Sequence, residues 1–222
     1  SNYCGGVLID NVKLSNGNEG GDDNEGNEGN EGGEQLATSF LFDFNNQSFE
    51  GLRTIDADND GYNWELEPSS AYGFAGYEQT PSIMSYSWSS TYGTLTPDNY
   101  VVTEQAYTIT ESSVVTLNAK PASAYDCAEH YGIVVSEDGE NWTVVFEETL
   151  SSINWTNTSV SLSEYAGKNL YIGVRHFDCT YLYYIMVDNF ALTGGNEGNE
   201  GGDDNEGGEQ LATSFSYNFT DQ

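Results

Sequence analysis

The sequence predicts an all-β protein, a two-sheet β-sandwich of the jelly-roll type, repeated in tandem and joined by acidic, glycine-rich linkers. In the first predicted strand Phe40, Phe42 and Phe44 alternate with Leu41 and Asp43, which is the period-two pattern of a half-buried strand. Later segments have the same character, at residues 100–109, 113–118, 131–135, 143–146, 158–162, 170–175 and 183–192. Turn signals separate them at 97–99, 138–141 and 166–169. Seven or eight short strands with frequent turns indicate two packed sheets.

A nearly repeated segment predicts the domain organisation. Residues 18–40 read NEGGDDNEGNEGNEGGEQLATSF, and residues 199–215 read NEGGDDNEGGEQLATSF. Similar strand-like endings precede them, VLIDNVKL at 7–14 and YIMVDNFAL at 184–192. Self-similarity of this kind is the signature of a repeat array. We therefore expect one complete domain at 34–192, the last strand of a preceding repeat at 1–14 and the first strand of a following repeat at 209–222.

The two linkers, residues 15–33 and 193–208, consist mainly of Asn, Glu, Gly and Asp and contain no aromatic or branched apolar residue. Such segments cannot bury enough surface to offset the entropy of ordering, and their like charges favour extension. They predict spacers between sandwiches.

Net charge limits the classes of partner. The 222 residues carry a formal net charge of −31, with five Lys and Arg against 36 Asp and Glu. Binding to nucleic acid requires cationic groups that replace counterions, so it is excluded, and an anionic membrane surface would repel the chain. No apolar run reaches the roughly 20 residues of a membrane-spanning helix. Cations are the expected partners.

An acidic loop predicts a calcium site. Asp56, Asp58 and Asp60 alternate, Gly61 allows a tight turn, and Tyr62 follows with a backbone carbonyl available as a further ligand. Several oxygen ligands in a flexible loop are what Ca²⁺ prefers, and three close carboxylates repel one another unless a cation lies between them. The alternative is a solvated acidic turn.

A second, weaker calcium site is predicted from Asp43 and Asn45 on the first strand together with Asp188 on the last. The first and last strands of a sandwich often lie side by side, so these oxygens could fasten the two ends of the domain. The alternative is a pair of acids exposed at a sheet edge.

The cysteines predict a disulfide bond. Cys127 and Cys179 belong to the complete domain and are expected to pair, whereas Cys4 matches Cys179 by position and would pair within a preceding repeat. Three free thiols in a cytosolic protein are the alternative.

Two further sets of residues are candidates for surface functions. Five Asn-x-Ser/Thr sequons offer N-glycosylation at Asn46, Asn141, Asn154, Asn157 and Asn218. The loop-rich stretch 69–93 contains Trp88, Tyr92 and Tyr77, whose flat rings could stack on sugars or could equally fill the core.

Sequence motifs for catalysis are missing. The chain has no Gly-x-Ser-x-Gly elbow, no phosphate-binding glycine loop and no histidine pair at zinc spacing. His130 and His176 lie inside strand-like runs, where a histidine is more often structural than catalytic. The sequence therefore predicts a protein that is not an enzyme.

Four phrases carry a family resemblance: TIDADNDGYNW at 54–64, GTLTPDNYVVT at 93–103, AEHYGIVVSEDGENWT at 128–143 and VRHFDCTYLYYIMVDNFAL at 174–192. Together they resemble the cleaved adhesin domain, the haemagglutinin/adhesin module attached to gingipain-type proteases and found in many bacterial surface proteins. The resemblance implies a jelly-roll sandwich with structural Ca²⁺ and a binding role outside the cell. Asp56, Asp58 and Asp60 match the acidic calcium loop of the family, and Asp43 and Asp188 are similar to its second site.

These observations lead to one leading hypothesis and two alternatives. The leading hypothesis is a secreted, non-catalytic protein of the bacterial surface, in which Ca²⁺-stabilised sandwiches form a fibre through covalent continuity or strand donation. Its main partner is then itself. The alternatives are an adhesin that binds glycans, glycoproteins or host or matrix proteins, and an accessory domain of a secreted protease.

Overall fold

A computed structural model of the protein describes residues 36–68 and 75–194, and these form fourteen β-strands and two short 3-10 turns at 77–79 and 163–165. The strands are β1 Phe40–Phe42, β2 Leu52–Asp56, β3 Glu65–Leu66, β4 Ile83–Tyr86, β5 Trp88–Ser89, β6 Gly93–Thr94, β7 Asn99–Thr103, β8 Tyr107–Thr108, β9 Val114–Pro121, β10 His130–Ser136, β11 Thr143–Thr149, β12 Thr156–Ser161, β13 Asn169–His176 and β14 Tyr184–Thr193. Within these residues, no helix has the length and apolar character to cross a membrane.

Two six-stranded antiparallel sheets make up the sandwich. One has the order β12-β9-β14-β4-β3, with β1 also paired to β14, and the other has the order β11-β10-β13-β7-β2, with β8 also paired to β13. Successive strands repeatedly alternate between the sheets, and a small hairpin of β5 and β6 lies outside both. The first and last predicted strands are neighbours, as Phe40 pairs with Leu192 and Phe42 with Phe190.

One hydrophobic core joins the two sheets. Alternate residues of each strand point inward, so Ile133 and Ile172 from one sheet belong to the same cluster as Leu117, Val187 and Phe190 from the other. The central strands β13 and β14 have neighbours on both sides and are mostly buried. This explains why their sequences read as nearly continuous apolar runs rather than clean alternations.

The predicted fold class is confirmed, because the described residues are all-β and form two antiparallel sheets around one core. The strands predicted between residues 100 and 192 are present, the first divided into β7 and β8. Strands β2, β3 and β4 were not predicted. The expected flanking strands at 1–14 and 209–222, the linker at 15–33 and nearly all of the linker at 193–208 lie outside the described residues.

Candidate functional site

The aspartate loop, residues 56–60, begins at the last residue of β2. Asp56 pairs with Asn99 of β7, and the loop then turns through Asn59 and Gly61, whose φ angles are 57° and 86°. Glycine adopts this left-handed conformation without strain, so Gly61 suits the turn. The backbone N–H of Gly61 donates to Asp56 Oδ2 at 3.0 Å, and that of Tyr62 donates to Asp60 Oδ1 at 2.8 Å.

The loop brings together the three carboxylates predicted to bind calcium. One oxygen from each of Asp56, Asp58 and Asp60 lies within 4.8 Å of the others. Partial burial, a hydrogen bond with Asp56 and the charges of Asp60 and Asp56 raise the pKa of Asp58 to about 6. Burial also opposes ionisation of Asp56, but hydrogen bonds from Asp58 and from loop N–H groups lower its pKa overall.

One oxygen of this cluster is left without a partner. Asp56 Oδ1 is buried and accepts no hydrogen bond from any described residue. A buried acceptor without a partner costs free energy, and in a loop of carboxylates a bound hard cation satisfies it. The donor set of the aspartate loop therefore fits Ca²⁺.

The second predicted calcium site is assembled only in part. Asp43 lies close enough to Asp188 for its charge to contribute to the raised pKa of Asp188, which burial, the largest cause, brings to about 6. Asp188 Oδ2 accepts hydrogen bonds from the Tyr77 N–H at 2.9 Å and the Thr80 hydroxyl at 3.2 Å. Asn45 donates both its backbone N–H and its side-chain amide to Asp43. Calcium at this site stays a prediction.

An aromatic band of six tyrosines and one tryptophan runs beside the aspartate loop. Neighbouring rings have centroids 4.2 to 6.2 Å apart, in the order Tyr62, Tyr92, Tyr86, Tyr184, Tyr183, Trp88 and Tyr181. Trp88 and Tyr92, both predicted to face a ligand, are thus parts of one surface. Tyr77 is not, because its ring packs against Trp155 at 5.9 Å.

The Trp88 end of the band lines a groove of about 300 Å³. Tyr181, whose side chain is 64% exposed, and Tyr183 lie beside Trp88, with Ser123 and Asp126 as polar wall residues. At the opposite end, Tyr62, Tyr86 and Tyr92 line a second cavity of about 280 Å³. The Trp88 groove lies at the lower limit of the size range of small-molecule sites, about 300–1,000 Å³, and it combines aromatic walls with a few polar groups as such sites do.

The segment that carries the groove aromatics has a strained backbone, which hydrogen bonds to Ser87 hold in place. Asp178, Tyr181 and Tyr183 have φ angles of 51°, 60° and 142°, which non-glycine residues seldom adopt. The Ser87 hydroxyl oxygen accepts hydrogen bonds from the N–H groups of Leu182 and Tyr183, each at 3.1 Å. Strained residues of this kind concentrate at ligand sites. The sequence did not reveal them, because the run YLYY at 181–184 reads as an ordinary strand.

The predicted disulfide bond is wrong. Cys127 and Cys179 are both free thiols. The Cys179 Sγ atom is instead buried against two other side chains, 3.1 Å from His176 Nε2 and 3.3 Å from Glu129 Oε2. The folded chain therefore directs Cys179 into the interior, where polar partners surround it. Cys4 lies outside the described residues.

The sequon predictions remain open. Asn46, Asn141, Asn154 and Asn157 are exposed, as glycan attachment requires, while Asn218 lies outside the described residues. Two of the amide groups already have structural roles, since Asn141 donates to Asp138 at 2.7 Å and Asn157 donates to Asn118 at 3.1 Å.

Known proteins are similar to this chain in sequence and in fold. The Cleaved Adhesin Domain family matches residues 39–192. Hemagglutinin A of Porphyromonas gingivalis is 30% identical over 185 residues, covering 70% of this chain, and Gingipain R1 of the same species is 31% identical over 174 residues, also covering 70%. The chain spans only 8% and 10% of these two relatives.

A solved structure shows the same arrangement of strands. The K1 cleaved adhesin domain of Lys-gingipain from Porphyromonas gingivalis superposes with a TM-score of 0.64 at 30% identity, covering 72% of this chain and all of that domain. The shared fold and the matched residues lead to one conclusion. This chain belongs to the Cleaved Adhesin Domain family.

Proposed function

We propose that the chain is part of a secreted, non-catalytic adhesin of a bacterial surface, and that it binds carbohydrate through the aromatic band. The observation that carries this proposal is the groove at Trp88, where the exposed Tyr181 and the half-buried Trp88 and Tyr183 share one wall with polar side chains. Sugars present apolar C–H faces and hydroxyl groups together. A flat ring would cover the C–H face, the carboxylate of Asp126 would accept hydrogen bonds from sugar hydroxyls, and the hydroxyl of Ser123 could donate or accept them.

The negative charge of the chain favours neutral glycans over acidic ones as ligands. A formal net charge of −31 repels sulfated and other acidic sugars over the distance that ionic screening allows. Neutral sugars do not experience this repulsion. We therefore propose neutral glycans, free or on glycoproteins of a host or matrix, as the ligands of the groove.

Calcium would act on the band through the aspartate loop. Asp56, Asp58 and Asp60, with the backbone at Tyr62, would hold the ion, which neutralises the repulsion between the three carboxylates. The Tyr62 ring packs on Tyr92 with centroids 4.2 Å apart, so a fixed loop fixes one end of the band. This arrangement makes calcium a structural cofactor and not a reactant.

A non-catalytic role is consistent with the relatives and with the chemistry of the described residues. The relatives include a haemagglutinin and the adhesin domains of proteases, and this chain matches only a small part of each of those proteins. The thiol nearest to a histidine, Cys179, is buried, and its environment raises its pKa, so it is a poor nucleophile. Adhesion, rather than proteolysis, is the function that this part of the chain supports.

A glycan array tests the binding proposal. The chain, in buffer with Ca²⁺, should bind neutral glycans, and Trp88→Ala should reduce that binding by at least tenfold because the groove loses its largest ring. Trp142→Ala is the matched control, since Trp142 is half-buried, as Trp88 is, but does not line the groove and packs against Tyr100 of β7. Absence of binding to any glycan, or equal loss in both variants, would contradict the proposal.

A second candidate function, a surface fibre, is favoured by the repeated segments at residues 18–40 and 199–215. Copies of the domain joined through acidic spacers would form a string in which the partner of each sandwich is the next one. Glycans at the exposed sequons would shield such a string. Electron micrographs of the native protein should show beads at regular spacing, whereas dispersed single domains would rule out the fibre.

A further inference from the structure

A buried cluster of Glu129, His176 and Cys179 is separate from the aspartate loop and the groove. Glu129 and His176 are fully buried and Cys179 is 8% exposed. Glu129 comes directly before β10, His176 ends β13, and Cys179 follows it. Because Tyr131 pairs with His176, the antiparallel register of these two strands brings the three side chains together.

Three potential ligand atoms converge in this cluster. Glu129 Oε2 lies 3.0 Å from His176 Nε2 and 3.3 Å from Cys179 Sγ, and the sulfur lies 3.1 Å from the same imidazole nitrogen. Zinc bonds of about 2.0–2.3 Å at tetrahedral angles place ligand atoms about 3.3–3.6 Å apart. Expansion of the triangle by a few tenths of an ångström would therefore admit the ion.

Outer hydrogen bonds orient two of the three ligands. His176 Nδ1 lies 2.9 Å from Ser85 Oγ, so with an ion bound the N–H at Nδ1 would donate there and Nε2 would direct its lone pair to the ion. The Ser87 hydroxyl donates to Glu129 Oε1 at 2.9 Å, which leaves Oε2 for the centre of the cluster. Metal-binding histidines and carboxylates characteristically have such outer partners.

We propose that Glu129, His176 and Cys179 form a binding site for a divalent transition-metal ion of the zinc class. The thiol of Cys179 loses its proton to solvent on binding, His176 binds as the neutral imidazole, and Glu129 binds as the carboxylate. Two negative ligands then balance the charge of a divalent ion, so no net charge is left in the interior.

The choice of metal follows from the ligand atoms. Calcium takes six to eight oxygen ligands, and this cluster offers one carboxylate, one nitrogen and one sulfur. Thiolate and imidazole together favour zinc. Three protein ligands leave the fourth coordination position for an exchangeable ligand.

Ser87 links the cluster to the groove wall. Its hydroxyl donates a hydrogen bond to Glu129 and accepts hydrogen bonds from the N–H groups of Leu182 and Tyr183. Cys179 lies two residues before Tyr181. A bound ion would thus brace the strained segment that carries the groove aromatics.

Cobalt substitution tests this proposal on the full chain. Co²⁺ added to metal-free protein should produce the near-ultraviolet thiolate-to-cobalt absorption at one ion per chain, and one equivalent of Zn²⁺ should remove it, whereas Ca²⁺ should not. Cys179→Ser should abolish the absorption, and the matched variant Cys127→Ser should retain it. Glu129→Gln, which keeps the size of the side chain, should weaken Co²⁺ binding at least tenfold, a check that is independent of whether Cys179→Ser folds.

The outcomes decide the proposal. A wild-type chain without the absorption, or one whose absorption is lost in Cys127→Ser and kept in Cys179→Ser, would show that the cluster is a hydrogen-bonded group of side chains that does not bind the ion. Loss that is specific to Cys179→Ser, together with displacement by Zn²⁺, would establish the site. Glycan binding is not needed for either result, so failure of the proposed function would leave this test unaffected.

Discussion

The aspartate loop and the buried cluster lie at the same end of one sheet, yet their chemistry is opposite. Asp56 pairs with Asn99, and Asn99 pairs with His176, so the two groups are in register on β2, β7 and β13. The loop holds three carboxylates, with Asp58 and Asp60 exposed and Asp56 half-buried, and the cluster places three different ligand types in the interior. A group of like charges needs a cation to hold it together, whereas different polar groups can satisfy one another by hydrogen bonding.

The largest expected effect is on the stability of the metal-free protein, which should depend on the buried cluster and not on the aspartate loop. His176→Ala should lower the free energy of unfolding by about 3–5 kcal/mol, because it removes the hydrogen bond between His176 Nε2 and Glu129 Oε2 and leaves a cavity in the interior. Urea unfolding in the presence of a chelator measures this loss.

His130→Ala is the matched control. The His130 side chain is 15% exposed, packs on Phe177 and lies 2.8 Å from the Thr149 hydroxyl. Its carboxylate neighbour, Glu147, is 4.0 Å away and 61% exposed. Contacts with exposed carboxylates contribute about 0–1 kcal/mol, and no buried acceptor among the described residues loses its partner, so this variant should lose less stability. Equal losses in the two histidine variants would mean that the buried pair has no special role.

The next effect concerns calcium at the aspartate loop. Calcium at 100 times its Kd should stabilise the chain by about 2.7 kcal/mol, and a chelator should therefore lower the melting temperature. Asp58→Asn should abolish this response and should leave the metal-free protein as stable as the wild type or more so, because one repelling charge is gone. If the melting temperature of the wild-type chain is the same with and without chelator, calcium does not stabilise the fold and the proposed calcium site is wrong.

The smallest effect concerns another acidic turn, at residues 136–141, which resembles the aspartate loop in sequence but needs no cation. Asp138 accepts hydrogen bonds from the Ser136 hydroxyl, from the N–H groups of Glu140 and Asn141, and from the side-chain amide of Asn141. These bonds, led by the backbone N–H of Asn141, hold its pKa well below the usual range.

Because the pKa of Asp138 is lower in the folded than in the unfolded chain, its ionised form stabilises the fold at any pH above the unfolded pKa, about 3.9. This stabilisation is lost progressively as the pH falls below that value. Asp138→Asn should therefore lower the melting temperature slightly at pH 7 and reduce the slope of melting temperature against pH below about pH 4. Calcium should not change either result. A calcium-dependent effect of this variant would show that the two turns are of the same kind.

The contrast between the two groups also explains what the sequence could predict. The aspartate loop was predicted because Asp56, Asp58 and Asp60 are close in the chain, so their spacing alone indicates the chemistry. Glu129 and His176 are far apart in sequence, and only the pairing of β10 with β13 brings them together. From the sequence alone Cys179 was therefore predicted to pair with Cys127, whereas in the fold it lies against Glu129 and His176.

The strands likewise divide into those that the sequence predicted and those that it did not. Those from residue 100 onward were predicted because they are long and bounded by clear turns. Strand β4 was missed because Ile83, Met84 and Ser85 are all buried, which removes the alternation, and because it lies in a stretch that reads as loop. The groove aromatics depend on positive φ angles at Tyr181 and Tyr183, and no local sequence signal marks these.

Elemental analysis of the purified full chain tests most directly the claim that these are two sites of different class. Wild-type protein equilibrated with both Ca²⁺ and Zn²⁺ and then desalted should retain both metals. Asp58→Asn should lose calcium and keep zinc, and Cys179→Ser should lose zinc and keep calcium. If either variant loses both metals while still folded, or if neither variant loses any, the division into an exposed calcium loop and a buried transition-metal site is contradicted.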